Sequence, residues 1–151
     1  MRLQNYLPYL VNRIGPPIEA GFADDLDRAG VDLQSWRVLA VLSEYGEQPV
    51  GAVSQLTSIN FSTLSRLLDR MRRKGLVEKR RDGKDGRTVT VRLTATGSGK
   101  AEFLIPRALA YEAAMTRDFT KAEVETFKHL LTKLYGSLTE AGREDDTRLA
   151  G

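Results

Sequence analysis

The 151-residue chain has no cysteine. Disulfide staples, a thiol nucleophile, a thiol redox sensor and a thiolate zinc site are therefore excluded. Its one histidine, His129, leaves too few imidazoles for a histidine-rich metal site or a catalytic histidine pair. No apolar run approaches the roughly 20 residues that cross a bilayer. The opening Met1-Arg2-Leu3-Gln4-Asn5-Tyr6-Leu7-Pro8 lacks the uninterrupted apolar segment of a signal peptide, so the default expectation is a cytoplasmic protein. What is present is ordinary for a soluble globular domain: 41% hydrophobic and 28% charged residues. A chain of this length can bury a core without staples.

The charge is concentrated. The whole chain carries a formal +3, but residues 48–94 hold eleven Lys/Arg against four acids. A basic block inside an acidic frame points to a polyanionic partner, nucleic acid first. A solvated helix face with a charged loop would look similar, so the placement of the charges decides between them.

Apolar residues at 3–4-residue spacing predict a helix over 3–14, broken or kinked at Gly15-Pro16-Pro17. A second run carries Ile18, Phe22, Leu26 and Ala29 to a stop at Gly30. Asp32 suits the N-cap of a core helix over 33–45. Two helices, about 51–57 and 61–74, then flank Ser58-Ile59-Asn60, the spacing of a helix-turn-helix. The second has an apolar stripe, Leu64, Leu67, Leu68 and Met71. Opposite it stand Ser62, Arg66, Asp69 and Arg73, flanked by Thr63 and Arg70. After Gly75 the period becomes that of strands, with Val77–Arg81 and Thr88–Leu93 joined by the charged tip 82–87. Two helices and a basic hairpin make a winged helix-turn-helix. Thr94 caps a long helix to about Asp118, kinked at Pro106. Thr120-Lys121-Ala122-Glu123 is a capping box for a last helix, with a stripe of Val124, Phe127, Leu130, Leu131, Leu134 and Leu138.

The fold class is thus mainly α with a small β-hairpin wing. Residues 31–94 form the DNA-binding domain, 1–30 and 95–139 form dimerisation helices, and 140–151 form a polar, frayed tail. Apolar stripes outside a compact core need a partner, which a second copy supplies.

Enzyme motifs fail on inspection. Thr96-Gly97-Ser98-Gly99-Lys100 lacks the first glycine and the Ser/Thr of a phosphate loop. The Asp82/Asp85 loop lacks calcium-loop spacing, and no nucleophile elbow or kinase motif occurs. No cofactor or metal is implied. A DNA-reading helix has a mechanism instead. Its N-terminal residues meet base edges in the major groove, where Ser62, Thr63 and Ser65 offer hydroxyls and Arg66 a bidentate fork for guanine. Arg70 and Arg73 contact phosphate or pair with Asp69.

Ser62-Thr63-Leu64-Ser65-Arg66-Leu67-Leu68-Asp69-Arg70-Met71, followed by Lys74-Gly75-Leu76-Val77, resembles the recognition helix of the MarR family of bacterial transcriptional regulators. Asp85-Gly86-Arg87, the strand to Leu93, and Leu93-Thr94-Ala95-Thr96-Gly97 are similar to that family's wing and the start of its next helix. Gly15-Pro16-Pro17 departs from the more continuous first helix of the pattern. The resemblance implies a triangular homodimer on a pseudo-palindromic operator in double-stranded DNA, as a repressor released by a small effector. It places Lys84, Asp85 and Arg87 at the DNA, with Arg87 in the minor groove. It also implies an effector pocket between the first, second and fifth helices, where this chain offers Arg13 as an anion partner and Trp36 and Tyr111 as aromatic walls. Those side chains suit an aromatic carboxylate or its CoA thioester. The alternative is a winged-helix protein–protein module without ligand control, which would not need the basic face.

Overall fold

The computed structural model describes residues 2–82 and 88–149, with side chains described for 2–81 and 88–139. The described residues form two compact units, divided between Tyr111 and Glu112.

In the first unit, a single 3-10 turn leads into helix α1, Leu7–Ala29. The expected break at Gly15-Pro16-Pro17 does not occur, and α1 runs through both prolines. Gly15 has no Cβ to clash with the ring of Pro16, and the φ that each proline fixes is already helical. Burial of Phe22, Leu26 and Ala29 then holds the C-terminal half of α1 on the core. Gly30, with φ 67°, closes α1, as its composition predicted.

Helix α2, Leu33–Tyr45, begins where Asp32 accepts a hydrogen bond from the Ser35 N–H at 2.7 Å. A short strand that the sequence did not announce, β1 (Gln48–Pro49), precedes α3, Val50–Thr57. Residues 58–60 turn the chain into α4, Phe61–Arg73, with Ser58 left-handed at φ 56° and Ile59 buried. Strands β2 (Val77–Asp82) and β3 (Thr88–Leu93) form the hairpin, and the antiparallel sheet has the order β1-β3-β2. Val77 faces Leu93 and Glu78 faces Arg92 across it. A proline in β1 is tolerated because the strand lies at the sheet edge.

Helix α5, Ala95–Met115, starts on one hydroxyl. Thr94 Oγ1 accepts from the Gly97 N–H at 3.0 Å and donates to the Gly75 carbonyl at 2.6 Å. Gly97 is required there: a Cβ would lie 2.0 Å from the Leu76 carbonyl oxygen. The Thr96–Lys100 run is therefore the start of a helix packed closely on the turn between α4 and β2. Lys100 reaches back to the Ala29 carbonyl. Pro106 does not interrupt α5, which ends three residues before Asp118. Val38, Leu39, Val53, Leu64, Leu67, Leu68, Leu76, Val91 and Leu104 make the centre of the core, at the meeting of α2, α3, α4, the sheet and α5.

The second unit holds the end of α5 and helix α6, Lys121–Leu149. The capping box forms: the Thr120 N–H donates to Glu123 at 2.8 Å. This contact holds the Glu123 carboxyl below the usual carboxylate range. The backbone of α6 stays helical past Glu140, where the sequence led us to expect a frayed tail. That stretch contains no proline and only one glycine, at Gly142.

Candidate nucleic-acid interface

Helix α4 owes its amphipathic character to sequence and its orientation to the core. Leu64, Leu67, Leu68 and Met71 are each at most 1% exposed. Ser62, Thr63, Arg66, Arg70 and Arg73 are exposed and Ser65 is half-buried, so one helix presents all six. Its N-terminus is tied down by Asn60, whose side-chain oxygen accepts from the Thr63 N–H at 2.9 Å and from the Ser62 hydroxyl at 3.0 Å. The C-terminal end carries Arg70, Arg72 and Arg73, cations at the negative end of the helix dipole.

The ion pairs differ from those the helix alone suggests. Asp69 binds Lys79 of β2 at 2.7 Å rather than Arg70 or Arg73. The hydrogen bond and charge of Lys79, helped by Arg72 and Arg73, hold the Asp69 carboxyl below its usual range. Arg70 faces Asp32 at 3.7 Å, on the cap of α2. Arg80 pairs with Glu47 at 3.9 Å, and Arg92 grips Glu78 across the hairpin at 2.6 Å. Arg66, Arg73 and Arg81 make no ion pair among the described residues, and all three are exposed. Lys84, Asp85 and Arg87 lie outside the described residues.

Lys79 is the residue that sequence reasoning passed over: its partner stands ten positions away on another element, and no local period announces it. It ties α4 to β2.

A second feature of the first unit is a cleft of about 290 Å³ lined by α1, α2 and α5. Trp36 and Tyr111 do line it, together with Phe22, whose ring lies 5.8 Å from Trp36 and 6.0 Å from Tyr111. The Tyr111 hydroxyl donates to the Ile18 carbonyl at 3.1 Å. Such a close approach needs Gly21, where a Cβ would meet the hydroxyl at 2.3 Å. Arg13 does not line the cleft; its guanidinium stands 5.5 Å from the centre of the Tyr9 ring. The cation at the cleft is Arg37, with Glu19 nearby on the lining. Leu33, Trp36 and Arg37 share a helix face at i, i+3, i+4, a signal that was available in the sequence.

Among the described residues no helix is long and apolar enough to cross a membrane. The MarR family model matches residues 29–88, from the end of α1 to the start of β3. A MarR-family regulator from Silicibacter pomeroyi of known structure is 32% identical, over 89% of this chain and 91% of its own, with a TM-score of 0.77. The transcriptional repressor IacR of Pseudomonas putida is 27% identical over 113 residues, 75% of this chain and 68% of its own. The PcaV regulator from Streptomyces coelicolor, solved with its natural ligand, shares the fold at a TM-score of 0.82 and 20% identity, over 91% of this chain and 97% of its own. These relatives are regulators rather than enzymes, and the chain belongs to the MarR family of winged helix-turn-helix, DNA-binding transcriptional regulators.

Proposed function

We propose that the protein is a cytoplasmic homodimeric repressor that binds an inverted-repeat operator and leaves it when a small aromatic anion enters the α1–α2–α5 cleft. The observation that carries the DNA part is the outer face of α4. Hydroxyls stand at its N-terminal end, and the exposed guanidiniums of Arg66 and Arg73, which make no ion pair among the described residues, follow. On this reading Arg66 forks onto a guanine and Arg73 meets phosphate. Arg70 trades Asp32 for phosphate. Arg87 extends the contact into the minor groove, whose narrow A·T stretches attract an arginine, with Asp85 holding its guanidinium and Lys84 adding a cation beside it. A protein-docking winged helix has no use for such a face.

Dimerisation is supported by apolar side chains left exposed in each unit. In the first they include Leu3, Leu7, Leu10, Val11 and Ile14, and in the second Phe119, Phe127, Leu130, Leu131 and Leu138. Two-fold symmetry then sets the half-sites about one helical turn, ~10 bp, apart. The effector reading is supported by three aromatic rings beside Arg37, and by a relative of the same fold that was solved with a ligand. The repressor role is supported by the name of the P. putida relative.

The test is fluorescence anisotropy with a duplex that the full chain selects from a random, unmethylated pool. Affinity falls steeply with salt, because bound phosphates release their counterions. Arg66→Ala costs about 1–3 kcal/mol and relaxes base preference. Equal affinity for the selected and a scrambled duplex sinks the DNA-reading proposal. Aromatic carboxylates and their CoA thioesters that release the duplex from wild type but not from Arg37→Gln support the cleft as the effector site. If none of them binds, the effector claim falls alone.

A further inference from the structure

Phe61 is the first residue of α4, and it is 60% exposed. Every other apolar side chain of that helix is buried to 1% exposure or less. At 100° per residue Phe61 lies about 70° from the centre of the apolar stripe, on the side shared with Ser62 and Ser65. The core therefore does not account for it. With Pro49 and Val50 it forms an apolar rim to an open depression of about 440 Å³ that Ser65 also lines. Ser62, Thr63 and Arg66, exposed on the same helix, follow Phe61 directly in the first turns.

Residues at the N-terminal end of a recognition helix are the ones that meet base edges. A phenyl ring there can only strip water from the donors and acceptors of adenine, guanine and cytosine, at a cost. Thymine alone of the four unmodified bases presents an apolar group in the major groove, its 5-methyl. We propose that Phe61 is a specificity-determining residue that packs on the 5-methyl of a thymine in each half-site. The inference rests on α4 entering the major groove.

The experiment uses the full chain and the duplex selected from the unmethylated synthetic pool, which separates thymine from 5-methylcytosine as the source of the methyl. Each thymidine is replaced in turn by 2′-deoxyuridine, which deletes the methyl and keeps the pairing. At one thymidine position wild-type affinity should fall by about fourfold, the value of one buried methyl-sized group. Phe61→Ala should bind with no sensitivity to that replacement, while Phe61→Leu, which keeps apolar surface, retains part of it. Circular dichroism melts confirm that both variants fold. The proposal is overturned if no thymidine position is sensitive in wild type, or if Phe61→Ala keeps the full sensitivity. Either result leaves discrimination between selected and scrambled duplexes intact, so its failure is distinguishable from failure of DNA reading.

Discussion

Helices α4 and α6 carry the same kind of pattern and meet opposite fates. In α4 the stripe Leu64, Leu67, Leu68 and Met71 is sealed under α2, α3 and the sheet. In the α6 stripe Phe127, Leu130, Leu131 and Leu138 remain exposed, and Val124 and Leu134 are only half-buried. An amphipathic period thus reports that a face wants burial, not where the partner comes from. The winged region closes its core within one chain. The terminal helix leaves most of its stripe exposed within its own unit.

The first prediction sharpens that contrast. Leu67→Ala removes a buried side chain from a closed core and should cost about 2–5 kcal/mol at any protein concentration. Leu130, 54% exposed, behaves differently. Leu130→Glu should leave the circular dichroism of the dilute chain unchanged and convert a dimer to monomers in sedimentation equilibrium. A Leu130→Glu variant that sediments as wild type would mean that the α6 stripe is not the joint between copies.

Much of the fold was legible because its signals are local. The stripe of α4, the Asp32 cap, the stop at Gly30 and the Thr120–Glu123 box each depend on residues within one or two turns. What was not legible depends on distant partners. The pairs Asp69–Lys79 and Arg70–Asp32 join different elements, and β1 exists only because β3 offers it an edge. Likewise α1 reads as two helices from its prolines, and is one because its second half is anchored by Phe22 and Leu26. The aromatic walls of the cleft were visible as residue types; that Arg37 rather than Arg13 accompanies them was decided by which face of α2 the core left open.

Two glycines of α5 give a smaller comparison inside the first unit. Gly97 abuts the Leu76 carbonyl, whereas a Cβ on Gly99 would meet nothing within 4 Å. Gly97→Ala forces backbone apart and should destabilise by about 1–3 kcal/mol. Gly99→Ala should stabilise the helix by about 0.5–1 kcal/mol, since alanine is the better helix former. Urea denaturation of the two variants reads both signs. If they shift in the same direction, the close approach of Gly97 to the Leu76 carbonyl is not what fixes the start of α5.

The smallest expected effect concerns the tie between α4 and β2. Lys79 lowers the folded-state pKa of Asp69 through its hydrogen bond and charge. A carboxylate depressed in this way stabilises the fold above its unfolded pKa, about pH 4, and the contribution disappears as pH falls through the lower folded value. The Asp69 side chain is 44% exposed, so solvent screening limits the pair to about 0.2–1 kcal/mol. Asp69→Asn should therefore be less stable than wild type at neutral pH by that amount, and the gap should close below about pH 4 as wild type becomes protonated. Because Lys79 sits on the wing strand, losing the pair also frees a cation beside α4. Asp69→Asn should then bind nonspecific duplex slightly more tightly at low salt, while losing discrimination if the tie sets the angle between helix and wing. A stability gap that persists unchanged at acid pH would show that Asp69 acts through packing or through its neutral hydrogen bond, and not through the ion pair with Lys79.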